Sequence, residues 1–234
     1  MPSGLTSQEQ FAVLAQRLRQ GRTTQEVFQA VVESAVLLVD GCDRAAIGML
    51  DGESFESAAA TDDVMRLIDR LQGEVGEGPC LEASTDAIVQ VDNDITNGST
   101  WPRLAGLVVK QTPVRAMLAV PLLYDDGQRS GALDVFADTA GAFTDDSVEQ
   151  AAILASFASV ALAGARQSER ADQLEEGLAT NREIGAAVGI LMATHQLTSA
   201  EAFDMLSKAS QRLNRKLRDI ASGIVAGGGV DPQR

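Results

Sequence analysis

Five cationic side chains lie within eleven residues near the C-terminal end, in the stretch SKASQRLNRKLRDIA (207–221), with no carboxylate among them. These cations are Lys208, Arg212, Arg215, Lys216 and Arg218. The hydrogen-bonding side chains that lie between them are Ser210, Gln211 and Asn214. Cations bind phosphates, whereas amides and hydroxyls bind the edges of bases. The pattern therefore favours nucleic acid as a partner, and a solvated surface with weak ion pairs is the alternative.

The charge of the whole chain, −14 over 234 residues, would by itself repel a polyanion. Its distribution is uneven. Residues 1–169 hold 11 Lys and Arg against 25 Asp and Glu (11 − 25 = −14), whereas residues 170–234 hold 8 of each (8 − 8 = 0). All of the acidic excess lies in the first part, and this asymmetry predicts two domains with different partners.

The chain has few residues of the types used in catalysis or metal binding. It contains one histidine, His195, and two cysteines, Cys42 and Cys80, which form no CxxC motif. A histidine metal centre, a disulfide framework and a structural zinc site are therefore excluded. We predict no catalytic residue, no metal and no cofactor. The sequence shows neither a signal peptide nor an apolar run long enough for a membrane span, so we expect a cytoplasmic protein.

The first part of the chain is predicted to be an α+β domain. A helix in residues 1–21 precedes it. Strands and helices alternate over residues 22–165, and two pairs of strands form hairpins around Asp51-Gly52 and around residues 125–127. Strands joined by hairpins predict an antiparallel sheet flanked by helices, because parallel strands need longer connections.

A long helical pattern without proline follows Phe143, either as one helix or as two joined end to end. Along it, residues spaced by three and four form a heptad seam: Ala171, Leu174, Leu178 and Asn181, continuing through Gly185, Val188 and Met192. Such a seam is typical of a parallel coiled coil in which a polar residue sets the register. It predicts a homodimer, with an intramolecular packing stripe as the alternative.

Residues 166–228 are predicted to form a three-helix bundle, followed by a flexible tail at 229–234. Thr198 and Glu201 have the spacing of a capping box, which starts the second helix. Asn214 is predicted to cap the start of the last helix. The residues expected to face inward on these two helices are Ala202, Phe203, Leu206, Ala209, Leu217, Ile220, Ala221, Ile224 and Val225.

The bundle resembles the ANTAR family of RNA-binding antitermination domains. Residues 182–225 contain three segments in the order of that family. They are REIGAAVGILM, a capped helix with Ala202, Phe203 and Leu206, and ASQRLNRKLRDIA. The resemblance implies a dimer that binds paired stem-loops in nascent RNA and prevents a terminator from folding. Many members carry lysine where this chain has Val188, so one cation of the family's first helix is missing.

The predicted RNA-binding residues lie on the first helix and around the following turn. Glycine in mid-helix costs stability, so Gly185 and Gly189 indicate close approach of a partner helix or an RNA loop. The full predicted set is Arg182, Gly185, Ala186, Gly189, Lys208, Ser210, Gln211, Arg212, Asn214, Arg215, Lys216 and Arg218. A small corner of two helices suits the splayed bases of an RNA loop better than duplex DNA.

The preceding domain resembles the GAF family. The stretch GEVGEGPCLEAS (73–84), followed by IVQVDNDI, is similar to a segment of GAF domains that precede ANTAR modules. The resemblance implies a sensor for a small molecule or a protein signal, with Gly78 and Cys80 bordering its ligand pocket. Two alternatives stay open: a GAF sensor with a DNA- or protein-binding helical output, and a reductase of the GAF type that uses Cys42 and Cys80.

Overall fold

The computed structural model describes residues 12, 14–16, 18, 21, 23–51, 54–122 and 129–227. The chain divides into two compact units, residues 1–169 and residues 170–234. The predicted limits of 22–165 and 166–228 for the two domains stay predictions. Most of the predicted N-terminal helix, the two predicted hairpin turns and the predicted tail at 229–234 lie outside the described residues.

The first unit contains a five-stranded antiparallel sheet with the order β2-β1-β5-β4-β3. Its strands are β1 (Arg44–Asp51), β2 (Ser54–Ala60), β3 (Gln90–Asp92), β4 (Ala116–Leu122) and β5 (Arg129–Ala137). The helices that precede β5 in the chain are α1 (Thr24–Leu38), α2 (Asp63–Val75), α3 (Pro79–Asp86) and α4 (Pro102–Gln111). The antiparallel α+β prediction is confirmed.

The two faces of the sheet bury different helices because side chains alternate along each strand. On β5, Leu133 and Val135 belong to one core. This core also contains the buried face of α1 and part of the long helix that follows β5. Phe136 belongs to the opposite core, together with residues of α2 and α4. Asp134 is fully buried on the face of Phe136, where the strand pattern calls for an apolar residue.

Helix α3 was not predicted, since Gly76 to Cys80 has the composition of a turn. Gly76 ends α2 in the left-handed region with φ +68°, and Pro79 then occupies the first turn of α3. Proline is favoured at this position because the first N–H groups of a helix have no intrahelical partner. The glycines therefore separate two helices that lie one after the other.

A single helix, α5 (Asp145–His195), runs for 51 residues from the first unit into the second. Its early part packs in the core of the first unit through Leu154, Ala158 and Leu162. By length and apolar composition α5 is also the one helix, among the described residues, that could cross a membrane, which alone is weak evidence. Part of this apolar composition is buried, since Leu154, Ala158 and Leu162 lie in the core of the first unit.

The second unit joins the end of α5 to α6 (Ser199–Leu213) and α7 (Leu217–Val225). The predicted capping box is present: the Thr198 hydroxyl accepts from the Glu201 N–H, and the Glu201 carboxylate accepts from the Thr198 N–H at 2.8 Å. The residues buried at its centre are Ala187, Val188, Leu191, Ala202, Leu206, Ile220, Ala221 and Ile224. The expected burial of Phe203 and Val225 is wrong, because both side chains are nearly half exposed.

Candidate nucleic-acid interface

The cations between α6 and α7 lie on a short turn of residues 214–216 that is fixed by backbone hydrogen bonds. Asn214 is the C-cap of α6 in the left-handed conformation, with φ +49°, and its N–H donates to carbonyls of the last turn of α6. The prediction that Asn214 caps the last helix is therefore wrong; Lys216 is the N-cap residue of α7. Asparagine tolerates the left-handed region better than most residues, which suits it to end a helix.

Ser210 holds this turn in place. Its carbonyl accepts from the Arg215 N–H at 3.1 Å, and its hydroxyl donates to the Arg215 carbonyl at 2.6 Å. The hydroxyl proton of Ser210 is thus used within the protein, which leaves its oxygen as an acceptor. Arg215 is fixed at the backbone while its side chain stays exposed.

The predicted cations divide into paired and unpaired groups. Arg218 bonds to Glu176 of α5 at 2.5 Å and lies 3.7 Å from Asp219. Lys208 pairs with Asp204 of the same helix at 2.7 Å. Of the five cations between residues 208 and 218, Arg212, Arg215 and Lys216 have no ion pair within the described part of the chain, and all three are exposed. These three cations are the strongest candidates for phosphate contacts.

The small-residue segment of α5 presents an open surface. Gly185, Ala186 and Gly189 are exposed, and a Cβ added at either glycine would meet no atom within 4 Å. Arg182 is exposed one turn earlier. Across the described residues, no hydrogen bond or ion pair joins this segment to the turn of residues 214–216.

The heptad seam is exposed over its first part and buried at its end. Leu174 and Leu178 are 65% and 58% exposed, and Ala171 and Asn181 are exposed with them. Val188 is buried in the centre of the bundle. The expectation that the seam continues through Val188 is wrong, because α6 and α7 cover that face of α5. An unpaired cation at this buried position would be costly, and the valine avoids that cost.

Sequence reasoning missed a groove of about 800 Å³ in the second unit. It lies between α6 and the ends of α5 and α7, with Ile190, Met205 and Ile224 among its apolar lining residues. Lys208 and Arg212 also line it, and so does His195, the last residue of α5. The sequence gives only a weak indication of this groove, because Ile190 and Met205 have the helical spacing of core residues.

A second candidate site lies in the first unit, at the two residues predicted to border its ligand pocket. Cys80 is fully buried, and its N–H donates to the Gln72 side-chain oxygen at 3.0 Å. Gly78 has φ +149°, and a Cβ there would lie 2.3 Å from the same oxygen. Glycine is required because only a residue without a side chain lets Gln72 reach the start of α3.

Around Cys80 lies a cluster of polar side chains, here called the buried polar cluster, that the sequence did not predict. Its members are Asp69 and Gln72 of α2, Cys80 and Ser84 of α3, and Asp134 of β5. Both carboxyl groups, the Gln72 amide nitrogen and the Ser84 hydroxyl are buried without a hydrogen bond of normal geometry. Buried polar groups are normally bonded, so this concentration marks a site rather than ordinary packing.

Burial controls the protonation of these groups. Removal from water raises the pKa of the Asp69 carboxyl from 3.8 to about 6, although Ser57 and Arg66 act in the opposite direction. The pKa of Asp134 is raised well above its usual value by burial and by the charge of Asp69, and the adjacent Cys80 thiol opposes this. Burial and the two carboxylates also raise the pKa of Cys80.

Both cysteines are poor nucleophiles in this environment. Burial, with help from Asp43, raises the pKa of Cys42 to about 12. The thiolate is the reactive form of cysteine, and a raised pKa keeps both Cys42 and Cys80 protonated at neutral pH. Among the described residues, no three His, Cys, Asp or Glu side chains are placed to hold a metal ion.

Two family models match the chain, a GAF domain over residues 21–163 and an ANTAR domain over residues 172–225. No curated protein matches it. Solved structures that resemble it include the GAF domain of a phosphoenolpyruvate-protein phosphotransferase from Coxiella burnetii, with 13% identity and a TM-score of 0.53. That likeness covers 70% of this chain and 96% of the other.

Two further solved structures show the same fold. The GAF domain of an Acinetobacter phosphoenolpyruvate-protein phosphotransferase has 15% identity and a TM-score of 0.51, covering 68% of this chain and 93% of the other. A free methionine-R-sulfoxide reductase from Neisseria meningitidis, solved with its substrate, has 14% identity and a TM-score of 0.51, covering 69% and 91%. At such identities these likenesses show the fold alone.

The chain belongs to the GAF domain family, and an ANTAR domain follows its GAF domain. The GAF domain is a sensor module, and the ANTAR domain is the RNA-binding module of antitermination regulators. The protein is therefore an RNA-binding regulator of transcription antitermination with an N-terminal sensor.

Proposed function

We propose that the protein acts in the cytoplasm as a signal-responsive homodimer. Each ANTAR domain binds one of two paired stem-loops in a nascent transcript and holds the RNA in a form that cannot fold into a terminator. The observation that carries this proposal is the turn of residues 214–216, where a fixed backbone displays unpaired cations in a domain of RNA-binding type.

The chemistry of the turn suits an RNA loop. Arg212, Arg215 and Lys216 are exposed and unpaired in the described part of the chain, so phosphates can bind them without breaking ion pairs. The exposed side chains of Gln211 and Asn214 offer amides to base edges. A compact patch of this kind reaches only a few nucleotides, which fits the unstacked bases of a loop better than the length of a duplex.

The exposed part of the seam supports the dimer. Leu174 and Leu178 are large apolar side chains on a helix surface with no covering element among the described residues. Burial of two such side chains from each protomer stabilises a coiled coil by several kcal/mol, at about 25 cal/mol per Å² of apolar surface. A parallel pair would present two RNA-binding turns, one for each stem-loop.

We propose that the GAF domain acts as a sensor without catalysis. A cysteine-dependent reductase needs an accessible thiolate, whereas Cys42 and Cys80 are buried with raised pKa values. These observations favour a domain that binds its signal. The signal reaches the output through α5, which is continuous from the GAF core into the ANTAR bundle.

The RNA interface is tested by replacing cations of the turn and measuring binding to a transcript with two stem-loops. Arg215→Ala and Lys216→Ala are expected to weaken binding, and each lost phosphate contact lowers the salt slope by about 0.7. Lys110→Ala removes an exposed lysine of α4 and serves as the control. Wild-type affinity in both turn variants, or equal competition by duplex DNA, would contradict the proposal.

A further inference from the structure

The two carboxyl groups of the buried polar cluster make no hydrogen bond of normal geometry within the described residues, although Ser57 lies near Asp69 and Cys80 near Asp134. Asp69 and Asp134 are 2% and 0% exposed, and none of their four oxygens makes a hydrogen bond. The charge of Asp69, on α2, raises the pKa of Asp134, on β5. Two acidic groups held together inside a protein normally require a cation or a shared proton.

The sheet around Asp134 carries only short side chains. Its lateral neighbours on β1 and β4 are Ala46 and Ala119, and both are fully buried. Ala132 and Ala83 extend the same surface beside Cys80. No side chain in this group is long enough to bring a charge to the Asp134 carboxyl.

In the part of the chain that the structure describes, no cationic side chain is hydrogen-bonded to either carboxyl group. Arg66 is the cation that acts on Asp69, but its side chain is half exposed and its ion pair is with Asp63, at 3.9 Å. A metal ion is disfavoured, because the described residues offer no third His, Cys, Asp or Glu ligand in place. The groups that face the pair from α2 and α3 are instead hydrogen-bonding ones, Gln72 and Ser84.

We infer that Asp69 and Asp134 form the binding site for a small protonated primary amine, which is the signal received by the GAF domain. The ligand class rests on the proposed sensor role of this domain. An ammonium group carries one positive charge and three N–H donors in a small volume. It can therefore satisfy several of the carboxylate oxygens at once, which a single shared proton cannot do.

The position of the pair also connects it to the signalling helix. Asp134 lies on β5 between Leu133 and Val135, whose side chains point to the other face of the sheet. Those two residues share a buried core with the early part of α5. A ligand that draws α2 toward β5 therefore acts on the strand against which α5 packs.

The inference is tested with the full-length protein and methylammonium as the probe. Tetramethylammonium has the same charge but no N–H donor, and sodium, potassium and magnesium chlorides at equal ionic strength report ion binding without amine recognition. At about tenfold excess over Kd, methylammonium is expected to raise the Tm of the wild type by about 3 °C. The Tm should be the same in tetramethylammonium, sodium, potassium and magnesium chlorides.

Variants assign the effect to the pair. Asp134→Asn and Asp69→Asn each remove one carboxyl group. Each is expected to weaken the apparent affinity for methylammonium at least tenfold, and the Tm shift should become smaller accordingly. Asp63→Asn, which replaces a fully exposed carboxylate of the same helix as Asp69, should keep the full shift. If Asp134→Asn fails to fold, Asp69→Asn carries the same comparison.

Three outcomes would overturn the inference: no shift with methylammonium, an equal shift with tetramethylammonium or a metal chloride, or an unchanged shift in both variants. This experiment measures Tm and does not measure RNA binding. A protein that binds stem-loops but shows no amine shift would refute the ligand class alone, whereas loss of RNA selectivity would refute the proposed function and leave the amine site standing.

Discussion

Replacing Asp69 by asparagine should stabilise the protein at neutral pH. Its carboxyl is buried and has no hydrogen bond, and its pKa rises from 3.8 to about 6 on folding. The folded state therefore binds more protons than the unfolded state between these two values. Stability from this group is fully present below about pH 4 and is lost as the pH rises through about 6.

The size of the effect follows from the change in pKa. A shift of about two units corresponds to about 3 kcal/mol of unfolding free energy, which is the most that Asp69 can cost at neutral pH. An asparagine at the same place still leaves polar atoms without partners, at a cost of about 1–2 kcal/mol. We therefore expect Asp69→Asn to be about 1–2 kcal/mol more stable than the wild type at neutral pH, in buffer free of amines.

Urea unfolding followed by tryptophan emission measures this difference. Trp101 is the single tryptophan of the chain; it is 2% exposed and its ring N–H donates to Glu82 of α3 at 2.7 Å. Its emission reports unfolding of the GAF domain, and a series of pH values from about 4 to 8 covers the titration of Asp69. Over this range, the unfolding free energy of Asp69→Asn should fall much less with rising pH than that of the wild type.

Asp63→Asn is the control, since it lies on the same helix and is exposed. The reasoning fails if Asp69→Asn is less stable than the wild type at neutral pH. It also fails if both proteins show the same dependence on pH, because the carboxyl would then titrate alike in the folded and unfolded states.

Three other predictions concern local structure and assembly. Thr198→Ala removes the capping box of α6 and should cost about 1 kcal/mol in thermal unfolding followed by circular dichroism, whereas Ser199→Ala, one residue on, should be nearly neutral. Gly78→Ala should destabilise the GAF domain by about 1–3 kcal/mol because its Cβ would collide with Gln72, whereas Gly164→Ala, in open space on α5, should stabilise by about 0.5–1 kcal/mol. The double variant Leu174→Asn and Leu178→Asn should sediment as a monomer if the seam forms the dimer, and Gln173→Ala, on another face of the helix, should not change the mass.

Local motifs in the sequence predicted local structure well. The Thr198 and Glu201 pair specifies a helix start by itself, because both partners lie within one turn. Asn214 was assigned to the wrong helix end because the same side chain caps a helix start and also tolerates the left-handed conformation of a helix end. Only the backbone angle separates the two roles.

Features that depend on contacts between distant segments were harder to predict. Val188 fits both the seam and the bundle core by spacing, and the packing of α6 and α7 decides between them. Asp69 and Asp134 meet across a helix and a strand, so neither has a neighbour in the sequence that identifies it. An acidic residue in an otherwise apolar strand, ALDVFA, is the one signal that could have singled out Asp134.

The border between the two units, at Glu169 and Arg170, falls inside α5 and not in a loop. Each residue of an α-helix advances the chain by about 100° around its axis. Inserting or deleting one residue near this border would therefore turn every downstream side chain of α5 to a new direction. A change of about seven residues, close to two full helical turns, would nearly restore the original direction.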